Sequence, residues 1–170
     1  MTQEQEKLNL DEKVQIKNLC AWDLYFKRLE SNGDVKIPSK GVVRLTRAEI
    51  QAQSLGGNVM FNGTDGIGSN ARIYIDDKPT RILLDFEQED SKEEQKILTP
   101  DKVKQILEYK TFATFQKHIE ESVVTQAEKL ILVEEAKKLK LNDYEKINFI
   151  QEYTGYKFEQ PKNKQTKQVK

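Results

Sequence analysis

The chain is poor in the residues that usually carry small-domain chemistry. Its 170 residues hold one cysteine (Cys20), one histidine (His118), one tryptophan (Trp22) and four prolines. A single cysteine closes no intrachain disulfide, which excludes a small secreted scaffold held by bridges. One Cys and one His cannot supply a Cys/His zinc site within one chain. No apolar run approaches the length of a membrane span. The opening MTQEQEKLNLDEK lacks the basic start and apolar stretch of a signal peptide. There is no excess of charge of either sign: Lys plus Arg and Asp plus Glu both number 28. That balance argues against a chain built as a whole to coat nucleic acid. These absences leave the expectation of a soluble intracellular or virion-type protein of one or two small domains, with no membrane partner.

What is present becomes clearer when charge is read by segment. Residues 1–86 and 99–158 are each neutral, 87–98 carries a net −3, and 159–170 carries +3. The stretch 87–95 has no aliphatic or aromatic residue to offset the entropy of ordering it. The pattern predicts a flexible arm over 1–12, a β domain over 13–86, an acidic linker over 87–98, a helical domain over 99–158 and a basic flexible tail over 159–170. Lys162, Lys164, Lys167 and Lys170 in that tail are the one place where weak nucleic-acid contact is expected. A solubilising frayed end is the more ordinary reading of them.

Residues 13–86 read as β. Val14 and Ile16 alternate with Gln15 and Lys17, and Trp22, Leu24 and Phe26 alternate with Asp23, Tyr25 and Lys27. Asn32-Gly33 predicts a hairpin turn into a strand at Asp34–Ile37, because this pair readily supplies positive φ. A further strand follows at 42–45. Thr46-Arg47-Ala48-Glu49 has the form of a capping box, predicting a short helix that Gly56-Gly57 ends. Strands are expected at 58–61, 71–76 and 80–86. The fold class predicted is α+β: an N-terminal small antiparallel β-sandwich or barrel with one short helix, and a C-terminal three- or four-helix block. That block begins at Thr99-Pro100-Asp101 and shows apolar residues at helical spacing. Capping signals stand at Thr125–Glu128 and at Asn142–Glu145, and Gly155 ends the last helix.

No motif names a reaction. The loop Gly63-Thr64-Asp65-Gly66-Ile67-Gly68-Ser69 is rich in glycine, but a strand is expected after it and it has no lysine, unlike a phosphate loop. As a calcium loop it has one carboxylate and the wrong spacing. Cys20 lies in a strand-like run, while His118 lies in the helical block, so a Cys/His pair would need tertiary packing. Glu120-Glu121 and Glu134-Glu135 have lysines at helical-neighbour distances, the pattern of solvated faces. A helix-turn-helix reading of 125–154 meets acids at the start of its second helix, where phosphate would lie. No enzyme activity, no cofactor and no metal is therefore expected.

Larger runs carry a resemblance. Trp22-Asp23-Leu24-Tyr25-Phe26-Lys27-Arg28 leads into Gly33-Asp34-Val35-Lys36-Ile37-Pro38 and Val43-Arg44-Leu45-Thr46-Arg47-Ala48-Glu49-Ile50. Then come Asn58-Val59-Met60-Phe61, Asp65-Gly66-Ile67-Gly68-Ser69 and Arg72-Ile73-Tyr74-Ile75, with Asn142-Asp143-Tyr144 and Tyr153-Thr154-Gly155-Tyr156 near the end. In general pattern the chain resembles the small structural proteins, head and tail accessories, of tailed bacteriophages. The resemblance implies a non-enzymatic virion component, made in the bacterial host cytoplasm: a capsid decoration or head–tail accessory protein. It would act through multivalent contacts with capsid, connector or tail proteins, or with copies of itself. Trp22, Tyr25, Phe61 and Tyr74 are the aromatics expected to form its partner contact. The other functional reading is an intracellular interaction or nucleic-acid-associated regulatory protein using the helical block and the Lys-rich tail.

Overall fold

Alternation along residues 13–18 builds the central strand of the N-terminal unit. In β1 (Lys13–Asn18), Val14, Ile16 and Asn18 are buried while Lys13 and Gln15 face out. β2 (Leu24–Lys27), β3 (Asp34–Ile37) and β4 (Val42–Thr46) follow. The computed structural model describes residues 7–90 and 92–158; residues 1–6, Ser91 and the basic tail 159–170 lie outside it. Two compact units divide the chain, Met1–Thr99 and Pro100–Lys170.

In the first unit β1 pairs antiparallel with β4, setting Val14 against Leu45, and with β5 (Ile73–Ile75), setting Ile16 against Ile75. The sheet order is β4-β1-β5. β2 and β3 form a separate two-stranded antiparallel sheet in which Leu24 faces Ile37 and Phe26 faces Val35. Side chains from both sheets meet Ile50 and Phe61 in one core. Asn18 joins the sheets. Its buried side-chain amide donates to the carbonyls of Trp22, Ile37 and Pro38, and its Oδ1 accepts from the Cys20 amide. A buried amide must be satisfied in this way or cost stability.

The architecture is α+β as expected, but the finer expectation is not met. The described residues form five strands, and neither sheet closes into a barrel. Two predicted strands are helices. Residues 58–61 begin α2 (Val59–Asn62), because the Asn58 side chain accepts from the Met60 amide and caps the turn. Residues 80–86 begin within α3 (Lys78–Leu83). There the Asp77 carboxylate accepts from the Thr80 amide and Pro79 lies in the first turn. A cap with a first-turn proline outweighs the β-preference of Thr80 and Ile82. α1 (Arg47–Leu55) begins and ends where its signals place it.

The acidic segment 87–98 is also corrected: it is anchored to the first unit. Glu87 is buried and paired with Arg81 at 2.9 Å, and the same oxygen accepts from the Gln95 amide. Gln95 donates to the Gly68 carbonyl at 2.8 Å, and the Asn70 amide donates to the Lys96 carbonyl at 2.7 Å. Ile97 and Leu98 are buried. The boundary between the units therefore falls at residue 99, at the end of this segment. Its charges looked solvated because no local pattern shows that Glu87 meets Arg81.

The described residues of the second unit form four helices: α4 (Pro100–Leu107), α5 (Phe112–Ser122), α6 (Gln126–Lys138) and α7 (Tyr144–Thr154). α6 packs against α4 and α7, and α5 against the same two. The capping box on α6 has both halves, with the Glu128 amide donating to Thr125 Oγ1 and the Thr125 amide to Glu128 Oε1. Phe112, Phe115, Phe149 and Tyr153 stack edge-on or face-to-face between α5 and α7.

Candidate partner-contact surface

The aromatics singled out by the sequence have different fates. Alternation in β2 turns Leu24 inward and Tyr25 outward, and the β3 register sets Lys36 opposite it. Tyr25 is 57% exposed. The Lys36 ammonium lies 5.9 Å from its ring centre and 3.6 Å from the Asp23 carboxylate. Asp23 in turn accepts from the Ser39 amide at 2.9 Å. That amide, and then Lys36, hold the Asp23 carboxyl below its ordinary range. The outward hairpin face is thus an aromatic ring framed by one charge of each sign.

Phe61 is corrected out of this set. It is fully buried in the core, edge-on to Phe26 with ring centres 5.4 Å apart, and presents no surface. Trp22 is half-buried against the same core. Tyr74 is half-buried in β5 with the Arg81 guanidinium 5.2 Å from its ring, and burial pushes its hydroxyl pKa up. Only Tyr25 of the four is freely presented.

Three apolar side chains that sequence reasoning missed are presented beside the hairpin loop. Leu29 is 55% exposed, Leu55 81% and Val59 63%. Leu55 ends α1 and Val59 begins α2, on either side of the Gly56-Gly57 turn. Leu29 reaches over that turn, with Cδ1 3.3 Å from where a β-carbon on Gly56 would stand. Glu49 holds the arrangement. Its carboxylate accepts from the Leu29 amide at 2.7 Å, the Glu30 amide at 2.8 Å and Gln53 Nε2 at 2.8 Å. Burial pushes the Glu49 pKa up, but these hydrogen bonds outweigh it and leave the carboxyl below its ordinary value. Leucines next to helix-ending glycines normally point to core, so no local pattern marks Leu55 as exposed.

The groups considered for chemistry are engaged in structure. Cys20 is fully buried, and loss of solvation pushes its thiol from 9.0 up to about 11. It belongs to the first unit and His118 to the second, where His118 stacks on Tyr109 with ring centres 4.4 Å apart. The glycine-rich loop closes on itself: Asp65 accepts from the Ile67 amide at 2.9 Å and the Ser69 amide at 3.2 Å. Among the described residues no group of three His, Cys, Asp or Glu is placed to hold a metal. Arg47, only 3% exposed, donates to Thr80, to the Asn9 carbonyl, to Glu12 and to Asp77. In the supposed recognition helix, Lys146 Nζ donates to the carbonyls of Leu107 and Tyr109, both at 2.8 Å, and so closes the end of α4. Lys162, Lys164, Lys167 and Lys170 lie outside the described residues.

No family model, curated protein or solved structure matches this chain. No helix among the described residues is long and apolar enough to cross a membrane.

Proposed function

We propose that this chain is a non-enzymatic contact protein, a virion component of the capsid-decoration or head–tail accessory kind. The observation that carries the reading is the contrast between its buried and exposed side chains. Arg47, Glu49 and Glu87 are buried, Arg81 is partly buried, and all four are bonded within the chain, whereas Tyr25, Leu29, Leu55 and Val59 are turned outward. Apolar side chains turned outward while the charged side chains are bonded internally favour docking over chemistry. One such contact is small and weak, and many copies on a repeating lattice make it stable. The partners are then other virion proteins, capsid, connector or tail, or further copies of this chain.

The test is mass spectrometry of purified virions from phage-producing cells that express the chain. The expected result is many copies of it per particle, lost when Tyr25, Leu29, Leu55 and Val59 are replaced by serine. Its absence from virions would overturn the proposal. Binding to DNA or RNA that weakens steeply with salt would move the assignment to the nucleic-acid-associated reading.

A further inference from the structure

The sequence contains two Asn-Gly pairs, Asn32-Gly33 and Asn62-Gly63, and the fold treats them in opposite ways. In such a pair the glycine amide nitrogen can attack the asparagine side-chain carbonyl carbon. A C–N bond forms, ammonia departs with the amide proton, and a five-membered succinimide results. Water then opens either carbonyl, leaving aspartate or the isoaspartyl isomer whose main chain runs through the side-chain carbon. No oxidant or reductant takes part. The step needs a carboxamide free to turn, an amide nitrogen not held in a hydrogen bond, and room around the glycine.

Asn32-Gly33 meets all three conditions. Asn32 is exposed at the hairpin tip. Neither its carboxamide nor the Gly33 N–H has a hydrogen-bond partner among the described residues; the Gly33 carbonyl alone is used, accepting from the Arg28 amide at 2.9 Å. A β-carbon on Gly33 would meet nothing within 4 Å. The loop is wider than a two-residue turn, since Lys27 pairs with Asp34. Glu49 pins only its Leu29–Glu30 part.

Asn62-Gly63 meets none of them. The Asn62 carboxamide is held at both ends by Ser54, donating to its carbonyl at 2.8 Å and accepting from its hydroxyl at 2.7 Å. The Gly63 amide donates to the Val59 carbonyl at 2.9 Å. A β-carbon on Gly63 would stand 1.9 Å from the Ser69 carbonyl oxygen. Asp65-Gly66, the aspartyl counterpart, is protected differently. Burial raises the Asp65 pKa, but hydrogen bonds from Ser69 and Ile67 outweigh it and keep the carboxylate ionised, a poor electrophile.

We propose that Asn32 is a built-in site of spontaneous deamidation, and that the fold confines the reaction to it. The product adds a carboxylate two residues before Asp34. In its isoaspartyl form it also lengthens the main chain between Arg28 and Gly33, beside the hairpin face that presents Tyr25. The modification therefore ages one defined part of the surface.

The experiment is a time course of the native full-length chain at mildly alkaline pH, read by peptide mapping that separates aspartyl from isoaspartyl products. A parallel sample is held in denaturant, and Asn32→Ser serves as the control. In the native chain Asn32 is expected to convert at least about tenfold faster than Asn62. A local opening free energy of about 1.4 kcal/mol at the Gly63 loop suffices for that ratio. In denaturant the two pairs should convert at similar rates, and Asn32→Ser should lose the native-state acidic shift. Equal native rates, or an unreacted Asn32 over a period in which the denatured chain converts, would overturn the proposal.

Discussion

Glu49 stands where a capping box would turn it back on its own helix, yet its carboxylate reaches out to the Leu29 and Glu30 amides. Only the Thr46 half of the box forms, with Thr46 Oγ1 accepting from the Glu49 amide at 3.1 Å. The two residues should therefore differ sharply on truncation. Thr46→Ala removes one cap and is expected to cost about 1 kcal/mol. Glu49→Ala strands the Leu29 and Glu30 backbone amides and takes one of two acceptors from Gln53 Nε2, which keeps the Lys27 carbonyl, and is expected to cost roughly 2–4 kcal/mol. Urea titration followed by Trp22 fluorescence measures both, and equal losses would show that Glu49 acts only on its own helix. Cys20 supports a second prediction. With its thiol raised from 9.0 to about 11, the thiolate fraction near neutral pH falls about 100-fold from the shift alone, before steric exclusion. A disulfide reagent should label the native chain at the rate of unfolding, and fast labelling without unfolding would place Cys20 at the surface. Because the folded state keeps the proton longer, stability from this group is whole below pH 9 and is lost as pH rises toward 11.

At the level of elements, legibility depended on whether the deciding partner was near in sequence. β1 and the β2–β3 pair were readable because period-two burial is local, and the α6 capping box because Thr125 and Glu128 are neighbours. α2 and α3 were misread because Asn58 and Asp77, each a cap, outweigh the extended preference of the residues that follow. Exposure of Tyr25 was readable from alternation, whereas exposure of Leu55 and burial of Phe61 depend on long-range packing. The closed 62–70 loop was recognised as a loop, but its cause was not visible: Gly63 bridges Ser69 with φ +69. Gly63→Ala should destabilise the first unit by at least about 2 kcal/mol, since a side chain meets both strain and a backbone oxygen. Gly57→Ala, also at positive φ but in open space, should cost less. Thermal unfolding of the pair checks this, and a smaller loss at Gly63 would contradict the close approach. In the second unit, Lys146→Met should remove the cation that closes α4 and cost about 1–2 kcal/mol. Faster hydrogen exchange in the last turn of α4 would accompany it.

For the molecule as a whole, the division of charge was readable, but the residue at which one unit ends and the other begins was not. The neutral blocks suggested a division, while the Arg81–Glu87 pair that draws the acidic segment into the first unit joins partners with no periodic relation. One consequence concerns acid. Among the described residues the carboxylates held below their ordinary values are Asp23, Glu49, Asp65 and Asp77, all in the first unit. At Asp77 burial acts upward, and hydrogen bonds from Thr80 and Arg47 outweigh it. A depressed carboxyl binds a proton less readily folded than unfolded. Its stabilisation is therefore present above the unfolded value, 3.8 for Asp and 4.5 for Glu, and is lost as pH falls through the folded value. The first unit should accordingly begin to lose stability as pH drops into that range. The chain carries its own reporter for each part: Trp22 lies in the first unit, and among the described residues four of the seven helices, α6 the longest, lie in the second. On acid titration in mild urea, Trp22 fluorescence should change at a higher pH than the far-ultraviolet helical signal. Asp77→Asn should remove part of the acid dependence of the first transition and leave the second where it was. Coincident transitions, unmoved by Asp77→Asn, would mean that the two units unfold as one and that these carboxylates do not set the acid limit.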